Sequence, residues 1–169
     1  MNTTFHSQIQ VQALKDGWIK RTYQFMSNGE VLAQLQKEKS YCSAMKANLG
    51  GKDFLIKRRG LWKHFVEIQS SFQPYNMRLD LNWRNKLKVT DSAGNPYVFK
   101  STGFWHTKWQ WVDRYQRPVI EIKSRNFSAR NRGLIEIKDH DMKEPLFWIV
   151  VSWFVILCSE SDAAIAAAT

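Results

Sequence analysis

The chain has 169 residues, 25 basic against 15 acidic side chains for a formal net charge of +10, and 44 % hydrophobic residues. That apolar content excludes an intrinsically disordered chain, the length suffices to bury a core, and two cysteines, Cys42 and Cys158, exclude a disulfide framework. The charge favours polyanionic partners (nucleic acid, anionic lipid headgroups or acidic proteins) without choosing among them.

The first residues, Met1-Asn2-Thr3-Thr4-Phe5-His6, lack the charged head and apolar run of a signal peptide, so we expect an intracellular, cytoplasmic protein. From there the hydrophobic period is two. Ile9, Val11 and Ala13 alternate with Gln8, Gln10 and Gln12, and Tyr23 and Phe25 alternate with Thr22 and Gln24. Met77, Leu79 and Leu81 alternate with Arg78, Asp80 and Asn82. Ile120 and Ile122 alternate with Glu121 and Lys123, and Ile135 and Ile137 with Glu136 and Lys138. One apolar face per segment means antiparallel strands that are wet on the other side. Asn28-Gly29 and Gly50-Gly51 mark hairpin turns. Two further turns share a form: Asp91 opens a loop that Pro96 closes, and Asp113 opens one that Pro118 closes, which suggests one repeated hairpin unit.

These signals predict twelve strands, near residues 6–14, 18–26, 30–37, 41–48, 52–59, 63–69, 76–83, 85–91, 96–100, 107–113, 118–124 and 133–138. With no Pro-, Gly- or Ser-rich linker among them, residues 1–169 read as a single mostly β domain. The period then breaks. Leu146 to Cys158 is apolar on every side, Pro145 suits a first helical position, and the Ala-rich tail at 159–169 also favours helix. A helix from about 144 to at least 158 follows. Its uncharged run is shorter than the roughly 20 residues of a membrane span, so we expect a core helix around which the strands close as a barrel, with a membrane tail anchor as the alternative.

Twelve amphipathic strands followed by one hydrophobic helix, with the turns Ser27-Asn28-Gly29-Glu30 and Asp91 to Asn95, resemble the tubby C-terminal domain and its LURP-one-related and phospholipid scramblase relatives. The resemblance covers nearly the whole chain and lies in architecture and turn style. It implies a closed barrel threaded by its helix and a basic surface for phosphoinositide-like headgroups. The cysteine-rich and calcium-binding segments of the scramblases are missing, as is the tubby signature, which counts against scrambling and transcriptional roles.

No nucleophile elbow, zinc motif, P-loop or dinucleotide fingerprint occurs, so we expect no catalytic residue, metal or cofactor. His6, His64, His106 and His140 stand apart from other ligand types; Asp139-His140-Asp141 reads as a turn before the helix. The clustered residues Trp105, Trp109 and Trp111, beside Phe104 and His106, read as core rather than as a base-stacking platform. The basic turns carry the functional expectation. Arg58, Arg59 and Lys63 in one, and Arg125, Arg130 and Arg132 in another, are candidates to form a single anion site, since guanidinium forks fit phosphate oxygens. Arg84, Lys86 and Lys88 form a third basic group. The expected function is a non-enzymatic binding module for anionic lipid or other phosphate-bearing ligands, peripheral at a membrane. A nucleic-acid-binding barrel is the alternative, and an enzyme whose site the sequence hides is a minority reading.

Overall fold

The structure, a computed structural model, describes residues 7–16, 20–37, 44–60, 63–71, 76–82, 84–103, 106–124, 130–139 and 141–169. The elements are β1 (Ser7–Asp16), β2 (Lys20–Ser27), β3 (Glu30–Lys37), β4 (Ala44–Leu49), β5 (Lys52–Arg59), β6 (Phe65–Ser70), β7 (Asn76–Asp80), β8 (Leu87–Thr90), β9 (Pro96–Thr102), β10 (Lys108–Val112), β11 (Pro118–Ser124), β12 (Asn131–Ile137) and α1 (Pro145–Ala168). All ladders are antiparallel. Sequence neighbours pair, β1 also pairs with β12, and the sheet order is β7-β6-β5-β4-β3-β2-β1-β12-β11-β10-β9-β8. Strands β7 and β8 meet through the isolated bridge Leu81–Leu87, which leaves the barrel nearly closed.

The up-and-down path puts alternate loops at opposite ends. Loops after β2, β4, β6, β8 and β10, with the segment leading into α1, make the end where the helix enters, which we term the base. Loops after β1, β3, β5, β7, β9 and β11 ring the end where it leaves, the mouth.

Period two sorts each strand into an inner and an outer face. Ile9, Val11, Tyr23, Phe25, Leu35, Ile56, Val66, Phe99, Trp109, Trp111, Ile122 and Ile135 all point inward and are buried. Within this ring lies α1, buried on every side from Trp148 to Cys158, with no residue in that stretch more than 7 % exposed. The Ala-rich stretch continues the same helix as far as Ala168, and from Asp162 onward it is exposed.

Aromatic rings fill the space between helix and wall. Phe99 stacks on Trp109 at 5.2 Å, Trp111 meets Trp148 at 5.8 Å, and Phe25 meets the edge of Trp153 at 6.2 Å. Opposite Trp153 the wall thins to Gly133: a Cβ there would lie 2.5 Å from the indole and 2.8 Å from the Lys123 carbonyl oxygen. Glycine at this point is a packing requirement.

At the base, the two Asp-to-Pro turns have one geometry. Asp91 N–H donates to the Asn95 carbonyl and Gly94 N–H to the Asp91 carbonyl, both at 3.0 Å; Asp113, Arg117 and Gln116 repeat the pattern at the same lengths. In each, the aspartate Oδ1 accepts two backbone N–H groups, from Ala93 and Asn95 or from Tyr115 and Arg117. The fourth residue takes a left-handed conformation in both, Gly94 at φ 85° and Gln116 at φ 64°. Asp91 does one thing more: its Oδ2 accepts Lys143 N–H at 3.3 Å, which ties the β8–β9 turn to the segment entering the helix.

This packing makes Gly133 and Asp91 the positions to test. Gly133→Ala must displace either Trp153 or backbone, so it is expected to cost roughly 1–3 kcal/mol, read as a fall in melting temperature of about 2–4 °C per kcal/mol at this chain length. Asp91 is tested with acid. Burial pushes its carboxyl up, but its backbone N–H donors more than offset this and hold it below the usual carboxylate range; Asp113 behaves likewise. Both depressed groups add stability that is present above the unfolded pKa of about 3.9 and lost as pH falls through the folded value. Asp91→Asn sets an amide N–H against the Lys143 N–H. Chemical denaturation is expected to show it about 1–3 kcal/mol less stable at pH 7, with the gap closing as wild type is acidified.

Candidate anion-binding mouth

At the mouth the helix is held by two ion pairs from opposing walls. Arg58 follows Ile56 on the inner face of β5 and binds Asp162 with both terminal nitrogens, at 2.8 and 3.0 Å. Arg132 of β12 binds Glu160 at 3.1 Å. Arg132 reaches inward because of a bulge: Val11 opposes Gly133 but Gln12 opposes Asn131, so Arg132 has no cross-strand partner and its side chain turns to the mouth. Glu160 and Asp162 are two residues apart and so about 200° apart around the helix. Strands β5 and β12 are five steps apart in the sheet, on facing sides. The geometry is that of a bolt fixed from both sides.

The two pairs differ in environment. Both guanidinium side chains are 16 % exposed, but Glu160 is 25 % exposed and Asp162 48 %. Burial raises the Glu160 carboxyl above its usual range although Arg132 opposes the shift. The Arg132 Nε is buried with no hydrogen-bond partner among the described residues. Next to this pair stands the buried Tyr23, whose hydroxyl is pushed up by burial against the lowering influence of Arg132 and Arg21.

Of the other expected anion ligands, Arg59 lies against Glu67 at 3.4 Å and is largely exposed. Lys63 is exposed in the Gly60–His64 loop, which Gly60 closes at φ 94°. Arg130 is exposed, and its carbonyl oxygen accepts the Ala13 N–H at 2.8 Å. Arg125 lies outside the described residues. So the mouth gathers Arg58, Arg59, Lys63, Arg130 and Arg132 at one end of the barrel. Arg58 and Arg132 are engaged there by the chain's own carboxylates, with the helix between them.

Exposed Arg21, Lys108 and Lys123 also lie toward this end. Asn82 orders the mouth loop beside the seam between β7 and β8: its Oδ1 accepts the Arg84 and Lys86 N–H groups at 3.0 and 2.8 Å. The base has the opposite balance, with Glu30, Asp53, Asp91, Asp113, Asp139, Asp141 and Glu144 against Lys52, Arg114, Arg117, Lys138 and Lys143. Above the basic mouth stand the last exposed helical turns, Asp162 to Ala168, all Ala and Ile after the aspartate, with Ile165 60 % exposed.

The remaining sequence candidates fall elsewhere. Trp109 and Trp111 are core, as expected, and the Trp109 Nε1–H donates to the His106 carbonyl at 2.7 Å; Trp105 and Phe104 lie outside the described residues. Asp139 Oδ1 accepts the Asp141 N–H, and His140 lies outside the described residues. Among the described residues no group of three His, Cys, Asp or Glu side chains could hold a metal ion. Cys158 is buried beside Arg58, and Cys42 lies outside the described residues. A cavity of about 320 Å³ opens at the base between the twin turns, walled by Tyr97, Tyr115, Asp113 and Arg117. Within it Arg117 is paired to Asp113 at 2.7 Å.

No family model, no curated protein and no solved structure matches the chain.

The helix bolt carries a graded prediction. Arg58 meets a half-exposed carboxylate, so Arg58→Ala is expected to cost no more than about 1 kcal/mol. Arg132→Ala strands a more buried Glu160, for which breaking a fully buried pair at about 3–5 kcal/mol is the upper limit; about 1–3 kcal/mol is expected after discounting residual exposure. Urea melts of the two variants should rank them in that order.

Proposed function

We propose that the protein is a non-enzymatic binding module that seats its mouth on an anionic lipid surface, acting peripherally on the cytoplasmic side of a membrane. The observation that carries this reading is the pairing of an exposed apolar helix tip with a basic rim at the same end of the barrel. The seven residues from Asp162 to Ala168 extend about 10 Å at 1.5 Å per residue, a length suited to the headgroup and acyl boundary that interfacial helices occupy at about 5–10 Å depth. Lys63, Arg59 and Arg130 around it would meet phosphate oxygens, each basic residue near such a surface adding about 1 kcal/mol. The same architecture supports reading the chain as a tubby-like barrel of the LURP-one-related kind. Burial of Trp109 and Trp111 removes two of the rings that single-stranded nucleic acid would stack on, which favours lipid over nucleic acid.

Sedimentation with vesicles tests the reading. Binding is expected to vesicles containing phosphatidylserine or a phosphoinositide, to be negligible on phosphatidylcholine alone, and to weaken with salt. Ile165→Glu, on an exposed helical turn, is expected to leave the fold intact and weaken vesicle binding at least tenfold, since a buried Ile is worth roughly 1.5–3 kcal/mol and about 1.4 kcal/mol is tenfold. Equal binding to neutral vesicles, or none to anionic ones, rules the proposal out.

A further inference from the structure

The outer wall formed by β1, β2 and β3 is unlike the rest of this basic protein. Between their charged ends, the outward positions on these three adjacent strands are Gln8, Gln10, Gln12, Leu14, Thr22, Gln24, Met26, Val31, Gln34 and Gln36, with no charge among them; Val31 is exposed and Thr22 is buried. Six of the chain's ten glutamines are here. Register makes the pattern sharper. Gln12 is opposite both Asn131 and Gln24, Gln24 is opposite Gln34, and Gln34 is opposite Asn48. A row of five amides thus crosses five neighbouring strands from β12 to β4, with Gln24 at its centre. Charge returns only at the margins, at Glu136 on one side and at Lys46 and Asp53 on the other.

We infer that this wall is the contact surface for a second copy of the chain, in a two-fold dimer whose axis passes close to Gln24. Two bodies of net charge +10 repel over most orientations and approach most easily through faces without charge. A primary amide carries donors and acceptors in one group, so a row of amides is complementary to itself when turned through 180°, as a two-fold contact requires. A row of lysines or of carboxylates is not. The wall also has relief: a recess of about 440 Å³ opens beside Gln34, Gln36 and Asn48, where a partner side chain would seat. Five strands about 4.8 Å apart and about seven residues long at ~3.3 Å per residue give a footprint of roughly 500 Å² per copy. That is below the ~800 Å² of a standard interface and belongs to the small, reversible class.

Salt dependence distinguishes this contact from the other association the charge pattern allows. Basic mouth against acidic base would join copies head to tail, would weaken with salt and would not stop at two. The amide wall predicts the reverse. In sedimentation equilibrium of the full chain, the mass should rise with concentration to twice the monomer and no further. Association should strengthen toward about 1 M salt, where the Debye length is about 3 Å and the mutual repulsion is screened. Gln24→Lys and Gln24→Glu each place like charges against one another across the axis, and each should weaken dimerisation at least tenfold with an unchanged melting temperature. Mixing the two in equal amounts should restore a dimer, because Lys then faces Glu. If a Gln24 variant fails to fold, Gln34→Lys and Gln34→Glu make the same paired test beside the axis. A wild-type chain that stays monomeric at every concentration and salt, association that weakens with salt, or variants that dimerise like wild type would overturn the inference.

Discussion

Everything in this fold depends on enclosing a helix that is apolar on all sides. A twelve-stranded barrel is too wide for its own side chains to fill, and an all-round apolar helix has no face to show to water. Each solves the other's problem. Eleven consecutive residues, Trp148 to Cys158, are buried against the wall. Side chains of this size contribute roughly 1.5–3 kcal/mol each on burial, so the set contributes on the order of 20 kcal/mol before entropy, against net stabilities of only about 5–15 kcal/mol for whole domains. The sheet without the helix would expose an inner face of Trp, Phe, Ile and Leu. The dependence reaches single positions: Gly133 exists as a gap for Trp153, and Ser152 buries its hydroxyl only because it donates back to the Ile149 carbonyl at 2.9 Å. Among the described residues the indole N–H groups of Trp111, Trp148 and Trp153 have no hydrogen-bond partner, a cost that such large rings offset by the area they bury.

Most of this was legible because burial on one face of each strand leaves a period of two that nothing else imitates. Ile9 and Val11, Tyr23 and Phe25, and Ile120 and Ile122 mark their strands directly, and the helix announces itself where that period stops at Leu146. The twin turns were legible as well, since an Asp whose side chain accepts two later N–H groups and a Pro that closes the loop leave fixed spacings. The site was less legible, for two physical reasons. Arg58 shares the inner face with Ile56 by simple alternation, a signal obscured where Arg58, Arg59 and Lys63 read together as one basic turn. Arg132 reaches the mouth through a bulge, and a bulge depends on register between two strands far apart in sequence. Nor could a single strand reveal the amide row, which exists only once five strands are aligned.

Charge is also arranged along the barrel axis. The mouth keeps an excess of Lys and Arg even though Arg58 and Arg132 are committed to Asp162 and Glu160. Those two pairs are better understood as what lets an exposed helix tip stand rigidly above the rim, because they fix the helix at the level where its buried part ends. The carboxylates of the base act in the complementary way. Asp91 and Asp113 shape turns, and Asp91 also binds the backbone at Lys143, so the helix is held where it enters as well as where it leaves.

The seam between β7 and β8 is managed with the same few residues. A barrel left unzipped for part of its length offers two strand edges, and exposed edges recruit other strands. Here both edge strands are short, Asn76–Asp80 and Leu87–Thr90, and the Leu81–Leu87 bridge together with Asn82 N–H donating to the Lys86 carbonyl at 3.2 Å fastens the seam at the mouth. Charged side chains guard the rest: Arg78 lies over the Phe65 ring at 3.9 Å and against Asp80, and Lys88 points outward from β8. An incoming strand would have to bury these charges to reach the backbone. Lys88, from the third basic group of the sequence, therefore has a structural reason to be where it is. The wall on the far side of the barrel has no such guard, and it is there, among the amides of β1 to β3, that the protein leaves a surface open to its own kind.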